Sequence, residues 1–67
     1  MPDILLNGAE KQITNDFTIA ALIKELNLEN KKLAVEVNME IIPRSQFERH
    51  TLKTGDKVEF IHAVGGG

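Results

Sequence analysis

The chain has 67 residues, 42% of them apolar, with 10 acidic against 8 basic side chains and a formal net charge of −2. That length holds one small domain, and the absence of cysteine removes disulfides, thiol nucleophiles and cysteine-based metal sites. The basic residues are scattered and Tyr and Trp are absent, so a face that tracks nucleic-acid phosphates is not expected. No apolar run approaches the ~20 residues of a membrane span, and the N-terminus lacks the basic region and apolar core of a signal peptide. The expected location is the cytoplasm, away from membranes.

The pattern opens with a hairpin. Asp3-Ile4-Leu5-Leu6 is a short apolar run before Asn7-Gly8, and Asn-Gly tolerates the positive φ angles of a type I′ turn. Glu10 to Thr14 returns as a weaker second strand with Ile13 facing the core. Ile19, Leu22, Ile23 and Leu26 then fall at i, i+3, i+4 and i+7, one face of a helix. Thr18 is its expected N-cap, and Phe17 and Leu22 stand at the hydrophobic-staple positions. Asn27 suits the left-handed residue that ends a helix. Ala20, Lys24 and Glu25 are assigned to the outer face.

Glu29-Asn30-Lys31-Lys32 reads as a solvated loop. Leu33 to Asn38 alternates as a strand with Leu33, Val35 and Val37 inward. Asn38-Met39 turns the chain into Glu40-Ile41-Ile42, which Pro43 ends because proline cannot donate to a ladder. Ser45 to His50 is expected to be irregular or a short 3₁₀ segment pinned by Phe47 and Leu52. Thr54-Gly55-Asp56 turns into a last strand from Lys57 to Val64, with Val58 and Phe60 inward and Glu59, Ile61 and Ala63 outward.

The order β-β-α-β-β-β predicts an α+β fold, a mixed sheet of about five strands with one main helix packed on one face. The first and last strands are expected to be parallel neighbours at its centre. Residues 1–64 form the single domain and 65–67 a glycine tail. The helix covers one face only, so Leu5 and Ile61 on the other face would make an apolar docking patch near the tail if they are adjacent.

No phosphate-cradling glycine loop lies between a strand and the helix. His50 and His62 lack metal-ligand partners at useful spacing, Ser45 lacks a nucleophile-elbow context, and Glu36 and Glu40 read as solvent-facing charges. The chain therefore reads as a non-enzyme that binds no cofactor of its own. The group left to react is the carboxylate of Gly67, the least hindered that a protein can offer. Gly65 and Gly66 let it thread a narrow cleft where any Cβ would collide. A carboxylate is a poor electrophile, and its simplest activation is adenylation by a partner that binds ATP. The bland alternative is that the glycines are an incidental end.

Taken together, Ile4-Leu5-Leu6-Asn7-Gly8, Thr18-Ile19-Ala20-Ala21-Leu22, Ala34-Val35-Glu36-Val37-Asn38, Ile41-Ile42-Pro43-Arg44-Ser45, Gly55-Asp56-Lys57-Val58-Glu59 and Val64-Gly65-Gly66-Gly67 resemble the sulfur-carrier family of thiamine biosynthesis. That family belongs to the ubiquitin-like β-grasp superfamily, and the resemblance runs end to end. It implies that an E1-like adenylyltransferase, using ATP and Mg, converts the Gly67 carboxylate to an acyl-adenylate. A sulfur donor, ultimately cysteine through a desulfurase, then makes the thiocarboxylate, and thiazole synthase takes the sulfur. It also implies partner contacts at Arg44; the other expected contacts are Leu5, Ile61, His62, Ala63 and Val64, and the chain alone is expected to be a monomer. Family members commonly carry Asn-Gly where this chain has Asn38-Met39, so that turn is expected to be of another type or strained. The rival readings are the small subunit of molybdopterin synthase, a ubiquitin-like protein modifier, and a passive binding module.

Overall fold

The computed structural model describes residues 3–62. The predicted elements Ala63, Val64 and the tail 65–67 therefore lie outside the described residues. The strands are β1 (Asp3–Leu6), β2 (Ala9–Gln12), β3 (Leu33–Val37), β4 (Glu40–Ile42) and β5 (Lys57–His62), with the helix α1 (Ile19–Glu25) after β2 and a 3₁₀ turn (Arg44–Gln46) after β4. The five strands form one mixed sheet in the order β2-β1-β5-β3-β4. β1 and β5 are parallel and central, as expected, and the other pairings are antiparallel. This is the β-grasp arrangement implied by the resemblance.

Local chemistry sets the helix ends. The Thr18 hydroxyl accepts a hydrogen bond from the Ala21 N–H at 3.1 Å, satisfying one of the donors that a helix start leaves unpaired. The Ile19 N–H donates to the His50 carbonyl at 3.1 Å and the Ala20 N–H to the Phe47 carbonyl at 3.0 Å. The segment from Pro43 to Leu52 thus closes the helix start, and no free N–H crown remains there to attract an anion. At the other end Asn27 has φ 59°. The Asn27 N–H donates to the Lys24 carbonyl at 3.1 Å and the Leu28 N–H to the Ile23 carbonyl at 2.9 Å, the paired bonds of a Schellman stop.

The core lies between α1 and one face of the sheet. Ile4, Ile19, Leu22, Val35 and Val58 are fully buried, with Ile13, Ile23, Val37, Ile42, Phe47, Leu52 and Phe60 packed round them. Ala20, assigned from periodicity to the outer face, is instead half-buried against this cluster, because the 43–52 segment covers the side of α1 that the sheet does not. Both β-hairpin turns have positive φ at both central positions: Asn7 49° and Gly8 86°, Asn38 52° and Met39 72°. The Asn38-Met39 turn thus shares the backbone signs of a type I′ turn, and Met39 holds a conformation that a side chain with a Cβ resists.

Candidate functional site

β5 is the last described strand, and the glycines follow it in the sequence. β5 is held along its length on one side by β3, with Leu33 opposite His62, Ala34 opposite Ile61, Val35 opposite Phe60, Glu36 opposite Glu59 and Val37 opposite Val58. On the other side β1 pairs only with its beginning, Leu5 with Lys57 and Leu6 with Val58. Two asparagine side chains extend this grip. The Phe60 N–H donates to Asn7 Oδ1 at 2.9 Å, and the Lys57 N–H donates to Asn38 Oδ1 at 3.0 Å. Asn38 Nδ2 donates to Asp56 Oδ1 at 3.0 Å, and the other Asp56 oxygen accepts the Lys53 N–H at 2.8 Å. Each asparagine makes its turn and clamps the tail-bearing strand. Reading the sequence found the first role and missed the second. The available signal was an asparagine as the first central residue of both hairpins, since its amide can serve a neighbouring strand.

Of the expected contact residues, Arg44, Ile61 and His62 come together. With Lys32, Leu33 and Ala34 they line a depression at the end of β5. Arg44 also borders a cleft of about 320 Å³ whose floor includes Ile23, Leu33 and Phe47. Arg44 is exposed at the start of the 3₁₀ turn, while the ion pair among the described residues joins Lys11 to Glu25 at 3.0 Å, on other elements.

Leu5 does not join this group. It lies opposite Lys57, whereas Ile61 is opposite Ala34, four residues further along β5 or about 13 Å at ~3.3 Å per residue. The two share a face without touching, so they do not form the single apolar patch that adjacency would have given. The exposed apolar side chain opposite Ile61 (46% exposed) is that of Ala34, on the neighbouring strand, while Ile41 (68% exposed) lies one strand further, opposite Glu36. Glu36 and Glu59 face each other across β3 and β5 on the same side of the sheet. Ala63, Val64, Gly65, Gly66 and Gly67 lie outside the described residues.

Among the described residues no cluster of three His, Cys, Asp or Glu could hold a metal ion, and no helix is long and apolar enough to cross a membrane. The arrangement presents a strand end, a cationic side chain and exposed aliphatic groups.

A profile of the ThiS family matches residues 4–67. The chain is 40% identical to the sulfur carrier protein ThiS of Bacillus subtilis (strain 168), over 92% of this chain and 96% of that one. It superposes with a TM-score of 0.83 on the crystal structure of a thiamine biosynthesis protein (ThiS) from Geobacter metallireducens, at 29% identity, covering 97% and 99% of the two chains. It is also 38% identical, over 96% of its length, to a thiazole synthase of Paramagnetospirillum magneticum, of which it spans only 20%. With a match running from the first strand through the terminal glycine, and a fold shared over nearly the whole chain, this protein belongs to the ThiS family.

Proposed function

We propose that the chain is the sulfur carrier of thiazole formation in thiamine biosynthesis, working in the cytoplasm as a co-substrate of partner enzymes and not as a catalyst itself. The observation that carries this reading is that the family match includes the tail, ending at Gly67. An E1-like adenylyltransferase binds ATP and Mg and joins the Gly67 carboxylate to AMP, with pyrophosphate leaving. A persulfide made by a cysteine desulfurase system attacks the acyl-adenylate and displaces AMP, giving an acyl disulfide. A thiol then cleaves its S–S bond, leaving the thiocarboxylate and a disulfide, and thiazole synthase consumes the thiocarboxylate. The role of this chain's body is positioning: Ile61, His62 and Arg44 dock, and the root of the tail enters the partner held by a central strand. Binding energy from the body is thereby used to bring the carboxylate to the α-phosphate. Gly65 and Gly66 add no side chain that a narrow channel must admit.

The test is the intact mass of the chain after incubation with the adenylyltransferase, Mg, ATP and a sulfur source, beside a chain lacking Gly67. An oxygen-to-sulfur mass gain at the C-terminal peptide of the full chain only is the expected result. Transfer of that sulfur to thiazole synthase, and not to molybdopterin synthase, places it in the thiamine route. Isopeptide conjugates on lysines would make it a protein modifier. An unmodified chain, beside an enzyme active on its own carrier, would make the tail incidental.

A further inference from the structure

β5 outlasts β1. β1 ends at Leu6 and the chain turns away at Asn7-Gly8, while β5 runs on to His62. The hydrogen-bonding direction alternates along β5. The Val58 carbonyl accepts from the Asn7 N–H at 2.9 Å, on the β1 side, and the Lys57 carbonyl accepts from the Asn38 N–H at 2.8 Å, on the β3 side. Even-numbered residues of β5 therefore direct their backbone groups toward β1 and odd-numbered ones toward β3. Past the end of β1 the Phe60 N–H is taken by Asn7 Oδ1. The Phe60 carbonyl, the His62 N–H and the His62 carbonyl point the same way, and no hydrogen bond joins them to any described residue.

Among the described residues this is a strand edge of three residues, presenting acceptor, donor and acceptor, with residues 63–67 following in the sequence. Neither Lys nor Pro, the common guards of an exposed edge, stands among Phe60, Ile61 and His62. The complement of such an edge is another extended backbone. One residue of a parallel segment, taking the place β1 would occupy if it continued, gives its N–H to the Phe60 carbonyl and its carbonyl to the His62 N–H.

We propose that this edge, Phe60–His62, is a β-augmentation site for an extended segment of the adenylyltransferase, which pairs with it and so fixes the root of the tail. The inference rests on the sulfur-carrier reading and deepens it. The edge is continuous with the tail: residues 63–67 follow directly, and fully extended they reach about 16–18 Å. Pairing at 60–62 therefore sets the origin and direction of a segment long enough to enter a cleft. Asn7 has a defined part in this design. By occupying the Phe60 N–H it completes the intramolecular ladder and sets where the free edge begins.

The experiment uses the full chain with an adenylyltransferase shown to act on a ThiS carrier. Amide hydrogen exchange at His62 is read with and without the enzyme and Mg-ATP, and ATP–pyrophosphate exchange is measured at limiting carrier. His62→Pro removes the N–H from the free edge without breaking a bond to β3, and proline is tolerated where a strand's N–H faces outward. His62→Ala removes the imidazole and keeps the N–H. The expected results are slowed exchange at His62 in the complex, and activity of His62→Pro about fivefold below that of His62→Ala, the scale of one net hydrogen bond. Unchanged exchange at His62 in an active complex, or equal activity of the two variants with both folded, overturns the edge proposal and leaves the carrier reading standing. No pyrophosphate exchange with the wild-type chain would remove the carrier reading, and the edge proposal with it.

Discussion

Positive φ angles occur at Asn7, Asp16, Asn27, Asn38 and Met39 among the non-glycine residues described. Four are Asn or Asp, whose short polar side chains tolerate this region, and Met39 is the exception. Its side chain is 91% exposed, so packing does not repay the strain. Met39→Gly should therefore stabilise the protein by about 1 kcal/mol, the cost of a left-handed L-residue less the extra entropy that glycine loses on folding. In a domain of this size such a gain raises the thermal midpoint by about 4–8 °C, which a melting curve followed by circular dichroism would show. An unchanged or lower midpoint would mean that the turn relaxes without cost. Residue chemistry of this kind was legible in the sequence, since Thr18, Asn27 and both hairpin turns declare themselves through local bonding preferences. The strand-clamping bonds of Asn7 and Asn38 were not. Their partners are 53 and 19 residues away in the chain, and no local preference names a distant partner.

At the scale of the elements, the helix and strands followed from periodicity because each has an apolar face of the right repeat. Periodicity failed at two points for the same reason. Alternation tells which face of a sheet a residue occupies, but not how far along a strand its neighbour sits. Leu5 and Ile61 were correctly placed on the open face, yet the register sets them apart. Likewise the 43–52 segment shows no repeat, so its bonds to the start of α1 were invisible until the fold brought His50 and Phe47 there. Register also creates an opposition that spacing alone could not reveal, Glu36 facing Glu59. Like charges directly opposite on a sheet destabilise it. Glu59→Lys should turn repulsion into attraction and raise stability by about 0.2–1 kcal/mol at low salt. The gain should shrink as ionic strength rises, because the pair is solvent-facing. Urea unfolding of both chains at low and high salt checks this; a difference that does not respond to salt would assign the effect to side-chain packing.

On the carrier reading, the whole molecule separates stability from chemistry. Every core side chain among the described residues lies between Ile4 and Phe60, while the carboxylate proposed to react belongs to Gly67. A domain of 67 residues, at ~0.05–0.15 kcal/mol per residue, has about 3–10 kcal/mol of stability in all. There is no cysteine to supplement it with a disulfide. Leu22 is fully buried at the centre of the helix–sheet contact, and truncating such a leucine costs about 2–5 kcal/mol through lost transfer energy and the cavity left behind. Leu22→Ala should therefore consume much of that total and populate unfolded chain near physiological temperature, as a lowered urea midpoint would register. Deleting Gly67 should do the reverse. Glycine buries no side chain, so the urea midpoint should stay that of the full chain while sulfur transfer is lost. If the deletion lowered the midpoint appreciably, the tail would be part of the folded body, and its threading into a partner would have to begin with local unfolding. If the midpoint holds, the body alone resists unfolding, and on the carrier reading the glycines are left to carry the group that reacts.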